Sequence, residues 1–556
     1  MNLNAYNIPA TSYMNKSSNM NEKIVAIQER LTHANIQVDE ICNSSGVPGA
    51  SIGVIQNGDM IHTYNFGYRD VEKQLPTTSD TVYGIGSVTK SFIVAGLAKL
   101  VEEEKLAWDT PVRDILPEFG QEDAYIAETL TIADILSHRS GLAGFGDMNL
   151  AFQGDGDMLL PKESLFSIVK QFKQLFPIRT NWSYFVWGYA LAGAIIEKVT
   201  NQSVSSFISE TIFEPLSLNS TTFDPSSVDP AKFAEPYSGL EDGTPYHLRK
   251  IQVFKDTFFE ASGGIYSNLD DMMSWSRVML DTIHAVPGTQ GLVVKQIQEI
   301  LSNHIAIENP SLRERSYGYG WIRTQLPGAV GLIGDNSGLW DIEDSPVLGT
   351  LDQPLFMIYH QGSTVGYYTF IALFPDSNSA VVVLTNSIAI SDAADWIGRV
   401  IIQALFDLKD NHNYAKLAKE ANKRVVKGYE DMNKKRDKLK NMIRAIPDLT
   451  PFIGRYRNAN KPFFIDIMMS EENKSELLFQ FQGLRDQTYR LRHLYGNVFE
   501  WALTHDEAKK RGRYSNANLE TYLFDFEVDT CSEVTSFSWL TDLTKPTKEI
   551  FLKSNV

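Results

Sequence analysis

Two groups of strand-like segments lie far apart in this chain, and their pairing limits what it can fold into. Near the N-terminus, Ala50–Gln56 and Met60–Phe66 flank Asn57-Gly58, a dipeptide suited to a tight hairpin turn. Far downstream, 355–360 (LFMIYH), 367–374 (YYTFIALF) and 380–385 (AVVVLT) read as three further strands, the last two joined by the turn-forming Pro375-Asp376-Ser377-Asn378. The pattern between the two groups is mostly helical. Residues 88–103 (VTKSFIVAGLAKLVEE) are apolar on nearly every side of a helix, which requires burial. Another helix is expected around 391–407. Strands from both ends of one stretch, with helices between, predict a central antiparallel sheet flanked by helices and carrying a helical insert. This is an α/β arrangement, though not doubly wound.

The whole chain, at 556 residues, is too long for one ordinary domain. Residues 1–22, rich in Asn, Ser and Met, read as a flexible tail. Ile24, Ile27 and Leu31 have helical spacing and predict a helix from Glu22 towards Ala50. The main domain is expected over 23–408. The stretch 409–446, dense in Lys, Glu, Asn and Asp, reads as an exposed connecting helix. From 447 to 556 the texture changes to short alternating segments (FFIDIMM, ELLFQFQ, TYRLRHL, LETYLFDFEV), which predict a separate antiparallel β-domain. Phe463, Phe464, Tyr489, Trp501, Tyr522 and Trp539 are its expected core.

Composition narrows the function. A net charge of −17 argues against nucleic acid as a partner, because phosphate recognition needs a basic surface. Two cysteines, Cys42 and Cys531, are too few for a disulfide-stapled secreted scaffold. The polar opening MNLNAYNIPATSYMNKSSNMNEK lacks the apolar run of a signal peptide, and no stretch is apolar enough to span a membrane. The expectation is a cytoplasmic protein with no membrane partner. The ten histidines show no short-spaced ligand pair, so neither metal nor cofactor is expected.

One motif carries chemistry. In Ser87-Val88-Thr89-Lys90 the serine stands where a strand-like segment, Thr81–Ile85, meets the buried helix. Positions i and i+3 share a helix face, which puts Lys90 over Ser87. A lysine in apolar surroundings can lose its proton near neutral pH and activate a hydroxyl. The helix N-terminus favours developing negative charge. Gly84 and Gly86 permit close backbone approach just before the serine. A second S-x-x-K match, Ser167…Lys170, falls on an amphipathic helix with no strand-to-helix junction and reads as a surface face. Gly49-Ala50-Ser51-Ile52-Gly53 fits the G-x-S-x-G pattern but runs into the hairpin strand, where the nucleophile-elbow mechanism needs a following helix.

Seven ordered blocks extend the argument: VPGASIGVIQNGDMIHTYNFGYRDVE, TVYGIGSVTKSF, LTIADILSHRSGL, WSYFVWGYALAGAIIEKVT, IFEPLSLNSTTF, ASGGIYSNLDDM and HQGSTVGYYTF. From about 46 to 403 the chain resembles the serine β-lactamase and penicillin-binding-protein family, closest to its class C and esterase-like branch. The β-domain resembles the lipocalin-like or barrel-like additions of some members, placed to wall off the substrate cleft.

The resemblance implies roles for individual residues. Ser87 would be the acylated nucleophile and Lys90 its partner. Tyr184 would be a general base and acid, its pKa lowered by the Lys90 ammonium. Which of Lys90 and Tyr184 is the base stays open. His360-Gln361-Gly362 matches the third family motif, and the N–H groups of Ser87 and Ser363 would form the oxyanion hole. Two departures stand out. Val186 occupies the place of the family's motif asparagine and offers no hydrogen-bonding group, which favours a more apolar acyl group. His360 replaces lysine and is largely uncharged at neutral pH, which weakens any clamp on a substrate carboxylate.

The implied activity is hydrolysis of a small-molecule or peptide ester, thioester or amide through an acyl-enzyme. Acyl transfer to an alcohol or amine in natural-product biosynthesis is the alternative. A non-catalytic binding or scaffold role is the alternative of another class. The oligomeric state stays open.

Overall fold

The computed structural model describes residues 10–121, 123–143, 152–153, 157–249, 255–286, 294–307, 313–341, 344–440, 447–459, 462–541, 543 and 547–554. Its central sheet has nine strands: β1 (Gly49–Gln56), β2 (Asp59–Asp70), β3 (Leu75–Pro76), β4 (Ile305–Ala306), β5 (Arg315–Tyr317), β6 (Ile322–Leu326), β7 (Leu355–Thr364), β8 (Tyr367–Phe374) and β9 (Ser379–Thr385). They lie in the order β4-β5-β6-β7-β8-β9-β1-β2-β3, every neighbouring pair antiparallel. The two groups of predicted strands meet where β1 pairs with β9, Ala50 opposite Thr385 and Ile55 opposite Ala380.

Every residue of β8 and β9 is buried. That is why these strands read as unbroken apolar runs: each face of the sheet is covered. Along β9, Val381 and Val383 enter one core while Val382 and Leu384 enter another. The first core lies under the helices Ala10–Ser45 and Ala393–Phe406. The second holds the helices Thr89–Glu102, Val186–Thr200 and Leu269–Ile283 of the insert. Gly53 is small because a Cβ there would come within 2.7 Å of Met273 Sδ on the Leu269–Ile283 helix. The G-x-S-x-G match is therefore strand packing, and Ser51 is buried with its hydroxyl 2.9 Å from the Tyr83 hydroxyl.

Several expectations change. The first helix spans Ala10–Ser45, so it starts inside the stretch read as a flexible tail, of which 1–9 lie outside the described residues. The connecting helix, Tyr414–Lys440, is not simply exposed. Tyr414, Ala418, Ala421, Val425, Tyr429 and Met432 are buried along one side, against the Ala10–Ser45 and Ala393–Phe406 helices and the C-terminal domain. Its many charges hid a narrow stripe of small and aromatic residues. Residues 441–446 lie outside the described residues.

Eight strands from Gly454–Asn458 to Glu549–Lys553 form a closed antiparallel barrel. Closure removes the unpaired edges that so many short strands would otherwise expose. Rings from alternate positions fill the interior, with Phe479, Phe481, Tyr489, Trp501, Phe524 and Phe537 in mutual contact. Phe464 departs from the expected core: it is half-buried, with the Arg455 guanidinium 4.0 Å from its ring centroid. Buried Glu500 ties the barrel to the connecting helix through ion pairs with Arg436 and with Lys440 at 3.1 Å, and pairs with Arg492 within the barrel at 2.9 Å. Among the described residues no helix is long and apolar enough to cross a membrane.

Candidate active site

The site forms where the turn before the Thr89–Glu102 helix is pressed against the end of β7. Two glycines make that approach possible. A Cβ on Gly86, whose φ is +51°, would lie 2.5 Å from the Ser363 nitrogen. A Cβ on Gly362 would lie 2.0 Å from the Ile85 oxygen. Both distances are below any real contact, so only glycine brings the serine turn and the strand together. Tyr83–Gly84, the paired part of the predicted strand, bridges to Tyr266–Ser267, and Ile85 N–H donates to the Ile265 carbonyl at 3.0 Å. Ser87, half-buried in the short 3-10 turn Gly86–Val88, is thereby fixed beside the Ser363 backbone.

Lys90 is fully buried one turn on, its Nζ 2.9 Å from Ser87 Oγ. The amine also donates to the Ser262 carbonyl at 2.7 Å. Ser262 belongs to the helical turn Glu260–Gly263. Burial lowers the Lys90 pKa from 10.5 to about 7, because the charged form is cut off from water. Aromatic faces replace a counter-ion: the Tyr184 and Tyr189 ring centroids lie 5.2 and 5.1 Å from Nζ.

Tyr184 differs from expectation. Burial raises its pKa, and the nearby Ser87 hydroxyl is the opposing influence; Lys90 does not bring it down. The Tyr184 hydroxyl is buried and faces Ser87 without meeting hydrogen-bond geometry. At neutral pH it is a phenol, able to donate a proton and poorly suited to remove one.

His360 is fully buried on β7. Its Nδ1 lies 2.6 Å from the Gln361 carbonyl and so carries the proton, which leaves Nε2 to accept from the Tyr317 hydroxyl at 2.9 Å. Burial, helped by the Lys90 charge, lowers its pKa to about 3. The ring is therefore neutral, as the sequence suggested. Val186 is 6% exposed at the start of the Val186–Thr200 helix and belongs to the apolar core, which leaves little of it to meet a substrate.

The structure thus gathers Ser87, Lys90, Tyr184, His360, Gly362 and Ser363 at one place. It leaves Ser167 exposed on a short surface helix, its hydroxyl donating to the Ser164 carbonyl. It also adds residues that sequence reasoning missed. Tyr317 holds His360, and the Ser262 carbonyl holds Lys90. His138, inside the SHRSGL block, accepts from the Phe185 N–H at 2.9 Å and packs at a tilt against Tyr184 with ring centroids 4.3 Å apart. His138 and Ser262 fell within the recognised blocks LTIADILSHRSGL and ASGGIYSNLDDM without being singled out there, and Tyr317 fell in none. Away from the site, Glu241, His505 and Asp506 offer three candidate metal-ligand atoms within 4.8 Å of one another. These groups already bond among themselves, Asp506 accepting from the Glu241 N–H at 3.0 Å and lying 2.9 Å from His505 Nδ1.

Residues 26–403 match the Beta-lactamase family. The chain belongs to that family. Among curated relatives, penicillin-binding protein 4 of Amycolatopsis lactamdurans is 27% identical over 356 residues, covering 64% of this chain and 84% of that protein. An unguisins hydrolase of Aspergillus campestris is 27% identical over 381 residues, covering 65% of this chain but only 62% of its own length. Among solved structures, the octameric penicillin-binding protein homologue from Pyrococcus abyssi superposes with a TM-score of 0.53 at 20% identity, covering 96% of this chain and 99% of the other. At that identity the likeness is one of fold, and it takes in the barrel. Membership of the Beta-lactamase family places the chain among serine hydrolases of this fold, and both the α/β domain and the C-terminal barrel predicted from sequence are present.

Proposed function

We propose that this chain is a serine hydrolase that cleaves an ester, thioester or amide through an acyl-enzyme on Ser87. The observation that carries the reading is the contact between Lys90 Nζ and Ser87 Oγ at 2.9 Å, made by an amine whose pKa is about 7. An ordinary lysine at this distance would be a permanent ammonium. This one is present in part as the free amine at neutral pH and is already in place to take the hydroxyl proton.

Ser87 Oγ attacks the carbonyl carbon as its proton passes to Lys90 Nζ. The carbonyl π-bond becomes an oxyanion, which the N–H groups of Ser87 and Ser363 receive. One such donor contributes about 3–4 kcal/mol in related sites. The intermediate collapses with cleavage of the bond to the leaving group, which takes back a proton relayed from Lys90 or from the phenol of Tyr184. Water then repeats the sequence on the acyl-enzyme, with Lys90 again the base. Neutral His360, both ring nitrogens held by Gln361 and Tyr317, adds no charge to the site. The name of the Aspergillus relative, a hydrolase, favours water over another acceptor.

The test is intact-protein mass spectrometry after treatment with a fluorophosphonate serine probe. One adduct on wild type, absent from Ser87→Ala, is the expected result. A folded wild-type protein that gains no adduct would overturn the reading.

A further inference from the structure

The barrel reaches the rim of the serine site through one segment. After the short helix His505–Lys509, the chain crosses onto the α/β domain. Lys509 Nζ donates to the Ala389 carbonyl at 3.0 Å, and its own carbonyl accepts from Ser238 Oγ at 2.8 Å. Gly512 has a φ of +69° and packs so closely that a Cβ would meet Val365 Cγ1 at 2.7 Å. Two residues on, the Tyr514 hydroxyl interacts with the side chain of Ser363, and the Tyr514 ring centroid lies 6.5 Å from that of Tyr368. Residues 512 and 514 therefore lie alongside 365 and 363. The Ser363 contact borders the nucleophile, and the Val365 contact borders a cavity.

That cavity, of about 260 Å³, opens between the domains and is lined by Tyr246, Arg249, Val365, Asp486, Lys510 and Arg511 among others. Among the described residues that line it are the basic side chains of Arg249, Lys510 and Arg511, the carboxylate of Asp486, and His247, whose Nε2 lies 3.4 Å from Glu235. Arg249 lies 3.8 Å from Asp486, Arg511 donates to the Asp486 carbonyl with its guanidinium 4.4 Å from the Tyr489 ring centroid, and Lys510 Nζ is 5.7 Å from the Tyr246 ring centroid. In a chain of net charge −17, a described lining richer in basic side chains than in carboxylates favours an anion. The volume is below that of a whole-ligand pocket, commonly ~300–1,000 Å³, and suits one end of a larger molecule. Val365 stands two residues from Ser363, at most ~7 Å along the backbone.

We propose that this interdomain cavity is a subsite for an anionic group, carboxylate or phosphate, at the far end of the acyl substrate. The proposal rests on the serine reading above and gives the barrel a part in choosing the substrate. Ser87→Ala protein, which cannot be acylated, allows binding to be read alone by calorimetry with monomethyl adipate and methyl hexanoate. The expected result is at least tenfold tighter binding of the carboxylate-terminated ester. Lys510→Glu in the same background should erase that preference, with Lys510→Gln intermediate; Lys510 is exposed, so both variants should melt like their parent. Equal affinity for the two esters, or a preference that survives Lys510→Glu, overturns the subsite. Fluorophosphonate labelling of wild type reports separately on Ser87, so failure of the subsite and failure of the serine reading are told apart.

Discussion

Lys90 and Tyr184 share one water-poor environment, and it acts on them in opposite directions. Burial removes a proton from the lysine and keeps one on the tyrosine. The amine is therefore the group able to work as a base near neutrality. The second-order rate of fluorophosphonate labelling should rise with pH and level off above about pH 7, as Lys90 becomes neutral. Lys90→Ala should slow labelling by ~10²–10⁴-fold and remove that titration. Tyr184→Phe should leave its midpoint in place, because the phenol does not titrate in that range. The pairing of Ser87 with Lys90 was legible because a spacing of three on a helix is local geometry. The state of Tyr184 was not, since it depends on His138 and His360, which come from other parts of the chain to close around it and its neighbour Trp182.

Among the elements, the turn that carries Ser87 tolerates least. Gly86→Ala would place a methyl group 2.5 Å from the Ser363 nitrogen at a φ of +51°. It should abolish probe labelling and cost more than ~1 kcal/mol in urea unfolding. The turn before the Tyr184 segment depends on Asp134, which is fully buried, caps its own helix through Thr131 and receives Arg139 and Arg179, each at 2.7 Å. Burial alone would raise the Asp134 pKa, but the hydrogen bonds from Arg179, Thr131 and Arg139 outweigh it and hold the carboxyl below its ordinary value. Its contribution to stability is thus complete above the unfolded value near ~4 and is lost as pH falls through the folded one. Asp134→Ala should cost ~2–3 kcal/mol at pH 7, and the gap from wild type should narrow in urea unfolding at pH 3. The sheet strands were legible because a doubly covered strand must be apolar throughout. The Tyr414–Lys440 helix was misread because alanines at helical spacing bury as effectively as leucines when two helices approach closely, and they carry little hydropathy signal.

At the scale of the molecule, the two domains are joined by buried polar contacts as well as by surface. Lys509 is a barrel residue whose amine is buried in the α/β domain, where burial lowers its pKa to about 8 against the opposing pull of Asp335. Lys509→Met should remove the bond to Ala389 and leave Asp335 without its nearby cation. The expected cost is ~1–3 kcal/mol, read in calorimetry as a lower first transition with the domains melting apart. The barrel was legible as a domain that could cover the cleft, but the segment that crosses, Lys509–Tyr514, was not, because it has no pattern beyond a glycine. The register of the central sheet also has a consequence for biogenesis. Ala50 waits for Thr385, so β1 and β2 leave the ribosome as an apolar hairpin without its neighbour and remain so until most of the chain has been made. Closure of so long a loop makes sheet completion a late and slow step, during which the hairpin's open edge can capture other chains. Overexpression at high translation rates should therefore lose this protein to inclusion bodies, and slower synthesis or a chaperone that shields the hairpin should recover it.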